Sequence, residues 1–421
     1  MYRVSSFWRV AAVPVALSIS NSRYPVHTHC APAHAAHSHR ASQQRADHTH
    51  KDTHSHKADH KDNTPQKKYH TKAPAVFSAA TYPANDPSED RVVLPGKFDK
   101  HSAWSLGGVF DGHGGWQVAH FASTALAPAL LLAIESVEPS DEMALDEAIL
   151  LSFAYIEKQV MEQVRPAFKM GFGEVAKVGS CVLLALRRDD HLVLVNCGDC
   201  RAVLGSSPGG GGAGGGGGVG VGAMVSARIT RDHNARVPLE QLRLMQDHPD
   251  EDPASLWRCK SPRACYVKGR LQLTRALGDL YLKYDEFNGT KEGHRSGGRH
   301  IPAPYSPPYV SYQPEVHHIT LDKSKDRFVI LATDGLWDYL GDQVAVDVVA
   351  KCMEELGSSG GDGGGGGMEA VAAEASRRLV TKALEVAAEE AGMSTEQMLA
   401  LPPGRHRRSR HDDTTAVVLF F

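Results

Sequence analysis

The chain has 421 residues, and no uninterrupted apolar run in it approaches the roughly 20 residues that span a bilayer, so no membrane span is expected. It also lacks an excess of either charge. Lys and Arg number 46 against 49 Asp and Glu, a formal net charge of −3, and no global basic field points to nucleic acid. The seven cysteines are irregularly spaced, so no disulfide framework is expected. Cys181 and Cys352 lie in apolar runs, the usage of buried thiols or a reducing compartment. Acids are missing altogether from residues 1–46, which carry Arg3, Arg9, Arg23, Arg40 and Arg45 and no lysine. An acid-free, Arg- and Ser-bearing start predicts a mitochondrial transit peptide over 1–46 and a matrix location, with the cytoplasm as the alternative. A secretory signal is the rival reading, since Val10–Ile19 is apolar, but Pro14 interrupts that run and no small-x-small site follows.

Residues 27–72 hold 11 of the 23 histidines, mixed with Lys, Asp, Ser and Thr. Such a tract cannot bury a core, and a disordered linker is expected over 47–80, with order beginning near Tyr82. Arg91–Leu94 and Trp104–Phe110 read as strands, and Val118–Ile134 and Glu142–Val164 as helices. Val178–Leu186 and Leu192–Leu204 read as paired strands around the turn Arg187–His191. A helix covers Val344–Glu355, and Phe328–Thr333 and Thr415–Phe421 are further strands. Glycine tracts at 206–222 and 357–367 read as surface insertions; the first lacks the following Lys-Ser/Thr helix that a phosphate-cradling loop requires. Strands in pairs, with helices in pairs between them, predict an α+β layered domain rather than a doubly wound sheet.

Four acidic motifs carry the chemistry: Ser-Glu89-Asp90-Arg91, Phe-Asp111-Gly112-His113-Gly-Gly, Thr-Asp334-Gly335-Leu-Trp-Asp338 and His411-Asp412-Asp413-Thr-Thr. Three adjoin β-branched or aromatic runs, at strand ends. If those strands lie side by side, Asp111, Asp334 and Asp412 converge, and carboxylates brought together repel unless cations neutralise them. Oxygen-only donors favour Mg²⁺ or Mn²⁺ over Zn²⁺. Two such ions activate water toward a phosphorus atom, and His113 is placed to protonate the departing oxygen.

The ordered series of these motifs with Gly-Ser-Cys181, Asn-Cys197-Gly-Asp199-Cys200-Arg-Ala-Val-Leu, Arg-Asp-His-Asn and Thr-Arg-Ala-Leu-Gly-Asp279 resembles the metal-dependent type-2C Ser/Thr protein phosphatases, from about Asn85 to Phe421. The resemblance makes 81–421 the phosphatase domain and implies a central β-sandwich of two mainly antiparallel sheets flanked by helical layers. It implies a two-metal site in which Asp111 bridges both ions, the Gly112 carbonyl is a ligand, and Asp334 and Asp412 serve the second ion. Glu89 and Asp90 match acids that hold waters on the ions, His113 the general acid, and Asp199 and Asp338 positions that take a third ion in some relatives. A narrower likeness, through Pro-Ala-Asn85-Asp-Pro-Ser-Glu-Asp-Arg, Glu-Gln-Leu-Arg-Leu-Met-Gln-Asp-His-Pro and Tyr281-Leu-Lys-Tyr284, is to the pyruvate dehydrogenase phosphatase branch. It implies a phosphorylated mitochondrial 2-oxo-acid dehydrogenase subunit as substrate. Where many family members carry a phosphate-holding Arg this chain has Asn85, a weaker phosphate partner, and Lys268, Arg270 and Arg275 are candidate substitutes.

Other signals fit bland readings better. Cys197-Gly-Asp-Cys200 has redox-pair spacing but lies at a strand end, so a buried thiol pair is expected. Cys181-(five apolar residues)-Arg187 matches a cysteine-phosphatase spacing, yet its apolar run is a buried strand and not an anion loop. Trp337 reads as a core aromatic, and the Asp285–Pro307 insertion as an idle loop with partner contact as the alternative. The rival to an enzyme is a catalytically silent scaffolding relative, against which every expected metal position retains its acid.

Overall fold

The computed structural model describes residues 75–99, 102–208, 223–289, 300–357 and 366–421. The expected leader, the His-rich tract up to residue 74 and most of both glycine tracts lie outside them.

Two sheets face each other. One runs in the order β1 (Val76–Tyr82), β13 (Thr414–Phe420), β12 (Asp326–Ala332), β6 (Arg201–Ser206), β7 (Val225–Arg228). The other runs β11 (Glu315–Thr320), β5 (His191–Cys197), β4 (Gly179–Arg188), β3 (Ser105–His113), β2 (Arg91–Val93), with β10 (Leu277–Gly278) on the edge of β4. Every named strand pair is antiparallel. β8 (Trp257–Ser261) and β9 (Ala264–Val267) form a separate hairpin.

Period-two alternation divides the apolar residues between layers. Leu183 and Ala185 of β4 pack with Val329 and Leu331 of β12 and Val417 and Leu419 of β13 between the sheets. Val182, Leu184 and Leu186 face the other way, onto the helices α1 (Gln117–Ile134) and α2 (Glu142–Lys169). On the opposite outside, Ile330, Ala416 and Val418 meet α6 (Asp342–Gly357) and α7 (Gly366–Glu390). Strands covered on both faces are apolar throughout, which is why β4 and β13 read as continuous hydrophobic runs. The result is the expected α+β sandwich of two antiparallel sheets between helical layers.

α2 follows from its sequence directly. Asp141 caps it by accepting from the Ala144 N–H at 3.1 Å, and Leu145, Ile149, Phe153, Ile156, Val160 and Val164 form the buried stripe. α1 has 18 residues and a mean hydropathy of 1.5, long and apolar enough to cross a membrane, but Val118, Ala122, Leu126 and Leu130 are buried in the core. The remaining helices are short: α3 (Pro238–Asp247), α4 (Pro253–Leu256), α5 (Asp334–Trp337), α8 (Thr395–Ala400) and α9 (Arg405–Arg408).

The structure departs from expectation in four places. Order begins before Tyr82, because Val76–Tyr82 pairs with β13 along its whole length and so claims residues 76–80 of the expected linker. Leu192–Leu204 is two strands in different sheets, broken at Gly198-Asp199-Cys200, where Gly198 has φ of 131°. α7 went unforeseen after its glycine tract. Finally, Cys259 and Cys265 are joined by a disulfide, since the β8–β9 register sets them directly opposite.

Candidate active site

Antiparallel topology brings the acidic motifs to one end of the sandwich. Asp111 is near the end of β3, Asp199 precedes β6, Asp334 follows β12 and Asp412 precedes β13. The glycine after each of two aspartates lets a second acidic motif pack against it. A Cβ on Gly112 would lie 2.6 Å from the Glu89 carbonyl oxygen, and one on Gly335 would lie 2.1 Å from that of Asp413. Asp-Gly is therefore required here by close backbone approach and does more than mark a turn.

Carboxylate oxygens of Asp111, Asp199 and Asp334 all lie within 4.8 Å of one another. Asp199, expected further out, belongs to this tight group, and Asp412 does not. The Asp412 carboxylate turns to the Arg408 guanidinium and accepts from the Asp413 N–H at 2.7 Å. It still lies close enough to raise the pKa of Asp111, Asp334 and Asp90. Asp199 is held by Asn234 Nδ2, which donates to Oδ2 at 3.0 Å, and by the Cys181 thiol, which donates to Oδ1 at 3.3 Å.

The electrostatics are those of crowded acids, with no basic ion-pair partner on Asp111, Asp199 or Asp334 among the described residues. Burial first, then the neighbouring carboxylates, lifts Asp111 and Asp334 well above the ordinary range. Asp90 is pushed up to about 8, Glu89 to about 7 and Asp412 to about 6, in each case chiefly by burial. Asp90 Oδ2 accepts from Thr415 Oγ1 at 2.6 Å and Thr333 Oγ1 at 3.1 Å, while its buried Oδ1 has no partner among the described residues. Asp338 is also raised by burial, with Arg236 opposing. An orphaned buried oxygen, an oxygen-only donor set and like charges at this spacing all fit divalent cations such as Mg²⁺ or Mn²⁺.

Sequence reasoning missed Asp413. Burial alone would raise its pKa, but donors hold it low: Asn85 and Glu89 N–H at 2.9 and 2.6 Å, Asn85 Nδ2 at 3.1 Å and Ala84 N–H at 2.5 Å. It thereby folds the Asn85–Glu89 loop against the site. Asn85 spends one side-chain N–H on this contact, which leaves a single N–H for any phosphate.

The candidate cations are committed elsewhere. Lys268 forms a buried pair with Glu251 at 2.7 Å, and Arg270 donates weakly to the His300 carbonyl. Arg275 lines a cleft of about 280 Å³ with Arg231, His233 and α3. Nearer the acids are Arg408 on Asp412, Arg236 beside Asp338 and Arg91 beside Glu89 and Asp90.

His113 Nε2 lies 2.7 Å from Asp279 Oδ2. Burial alone would lower the imidazole pKa, but Asp279 raises it above the usual value. Cys197 and Cys200 are free, buried thiols. Cys200 meets Cys181, while Cys197 donates to the Tyr312 carbonyl at 3.5 Å. Trp337 is a core aromatic whose Nε1–H reaches the Ala332 carbonyl at 3.0 Å.

The sandwich of two antiparallel sheets between helical layers is similar to two solved structures. One is a sex-determining protein of C. elegans (TM-score 0.53, 21% identity, 83% of this chain and 66% of that one). The other is a serine-threonine phosphatase 2C from Toxoplasma gondii (TM-score 0.51, 18% identity, 83% and 96%). Both show the fold. The family profile described as Protein phosphatase 2C matches residues 75–392. Among curated relatives, "Probable protein phosphatase 2C 67" of Arabidopsis thaliana is 32% identical over 349 residues, 82% of each chain. "Probable protein phosphatase 2C 64" of the same plant is 30% identical over 354 residues, 82% of this chain and 77% of its own. The chain belongs to the protein phosphatase 2C family, and it is a protein Ser/Thr phosphatase of that type.

Proposed function

We propose that Asp111, Asp199 and Asp334 hold two Mg²⁺ or Mn²⁺ ions, with the Gly112 carbonyl, Asp90 and Asp412 completing the donor set and Glu89 and Asp338 at its margin. The observation that carries this is the group of three carboxylates within 4.8 Å, none of which has a basic ion-pair partner among the described residues. When bound, the ions supply Lewis-acid activation of water and of the phosphoryl group. The chain's own residues do the rest. His113, its ring held by Asp279, donates a proton to the departing serine or threonine oxygen. The remaining Asn85 N–H offers one neutral donor to the phosphate, so most of the phosphate charge is left to the ions. A phosphopeptide assay tests the reading: activity with Mn²⁺, none with EDTA, and loss in Asp111→Asn. Turnover that survives EDTA and that substitution would overturn it.

For the substrate, we infer the phosphorylated subunit of a mitochondrial 2-oxo-acid (pyruvate) dehydrogenase. Support comes from the Asn85-Asp-Pro-Ser-Glu-Asp-Arg motif, Tyr281-Leu-Lys-Tyr284 and the acid-free, Arg-bearing start. The second reading is a type-2C phosphatase acting on another phosphoprotein; the relatives above carry no substrate in their names. Depletion in vivo followed by phosphoproteomics separates them. Unchanged dehydrogenase phosphorylation would remove the favoured substrate.

A further inference from the structure

We propose that Asp279 is a positioning residue for phosphoryl transfer: it fixes the His113 ring through Nε2, so that Nδ1 is the nitrogen presented to the substrate. This rests on the reading of His113 as proton donor. Asp279 lies in the Arg-Ala-Leu-Gly-Asp segment, to which the resemblance gave no role of its own.

Three strands meet at the contact. Gly278 of β10 pairs with Gly179 of β4, and Gly179 pairs with His113 of β3. Asp279 and His113 therefore approach each other across Gly179. A Cβ there would lie 2.2 Å from Asp279 Oδ2 and 2.4 Å from His113 Nε2, so the bond exists only because residue 179 has no side chain.

Asp279 itself is fully buried, sits at φ of 51° and has its N–H on the Val178 carbonyl at 3.1 Å. An aspartate in the left-handed region is tolerated where its surroundings hold it there. They do. The Gly278 N–H donates to Glu157 Oε2 at 2.9 Å, and Lys283 Nζ donates to Glu157 Oε1 at 2.8 Å and to the Ala276 carbonyl at 2.6 Å. Glu157 and Lys283 thus clamp residues 276–283 onto α2 from both sides. Of the two Asp279 oxygens, Oδ1 is buried without a partner among the described residues, and Oδ2 is spent on His113. A buried carboxylate with that single side-chain partner is placed for that partner. With Nε2 taken, Nδ1 remains, on a side chain about 23% exposed.

In the reaction, a water oxygen bonds phosphorus as the bond from phosphorus to the serine oxygen breaks. The serine oxygen takes the Nδ1 proton, and the ring ends neutral with its other proton on Nε2, donated to Asp279. One proton released from the attacking water balances the one that restores Nδ1–H.

The test compares leaving groups. Asp279→Asn, Gly179→Ala and the control His113→Ala are assayed with Mn²⁺ on a phosphoserine peptide, whose alkoxide must be protonated, and on p-nitrophenyl phosphate, whose phenolate leaves unaided. Asp279→Asn and Gly179→Ala are expected to lower kcat on the peptide about 10- to 100-fold more than on p-nitrophenyl phosphate, with peptide KM little changed. Equal losses on both substrates, with His113→Ala still selective, would make Asp279 merely structural and overturn the proposal while leaving the reading of His113 intact. A His113→Ala variant without selectivity would overturn both. If the variants do not fold, the ¹⁵N shifts of His113 in the wild-type chain decide. At a pH high enough to make the ring neutral, the tautomer protonated on Nε2 agrees with the proposal, and the one protonated on Nδ1 overturns it.

Discussion

Two buried charged groups in this molecule are solved in opposite ways. Glu157 and Lys283, each about 1% exposed, sit between α2 and the 276–283 segment and neutralise each other at 2.8 Å. By contrast, Asp111, Asp199 and Asp334 crowd within 4.8 Å with no ammonium or guanidinium paired to them among the described residues. The first arrangement is complete within the chain and fixes backbone. The second is unfavourable as it stands and becomes favourable only when a positive charge arrives from solution. A charge left uncompensated by the fold marks the place where the fold expects a ligand.

The comparison breaks if the clamp proves dispensable. Lys283→Met leaves Glu157 buried and unpaired and is expected to cost about 3–5 kcal/mol in urea denaturation. The double variant Glu157→Leu/Lys283→Met should recover much of that, and a single-variant cost below about 1 kcal/mol would put the pair outside the core. On the acidic side, Asp111→Asn is expected to lower phosphopeptide turnover by about 10²- to 10³-fold, the scale of removing one group that organises transition-state charge. A turnover assay at saturating Mn²⁺ checks it.

Asp413 stands between the two cases, a carboxylate satisfied by four N–H donors rather than by a cation. Asp413→Asn should destabilise by about 1–3 kcal/mol, read by chemical denaturation, because an amide oxygen is a weaker acceptor for donors already in place. The smallest effect is on pH dependence. Asp90 at about 8, Glu89 at about 7 and Asp412 at about 6 lie above their ordinary values, so the folded state keeps protons that the unfolded chain has released. Their contribution to stability is full below the unfolded carboxylate range, near about pH 4, and is lost as pH rises through about 6 to 8. Melting curves in EDTA should therefore fall over that window, and Mn²⁺ should flatten them.

Much of this was legible in advance because it rests on local pattern. Apolar runs ending in Asp-Gly located β3 and β12, and Asp111, Asp334, His113 and Asp199 come to one end of the sandwich. What escaped was set by pairing between distant segments. β1 is short on large residues and was legible only through its partner β13. The break at Gly198 looks like one more small residue until β5 and β6 are seen in separate sheets, and that break is what carries Asp199 into the tight group in place of Asp412. The roles of Asp413 and Asp279 depend on contacts with residues more than 160 positions away, which no periodicity records.

Melting of Asp334→Asn beside the wild-type chain, in EDTA and in Mn²⁺, tests the central claim most directly. If the three carboxylates are a repulsive group built for cations, the variant melts at or above the wild type in EDTA and below it in Mn²⁺. A variant that melts below the wild type by the same margin in both would show that Asp334 serves the fold rather than an ion.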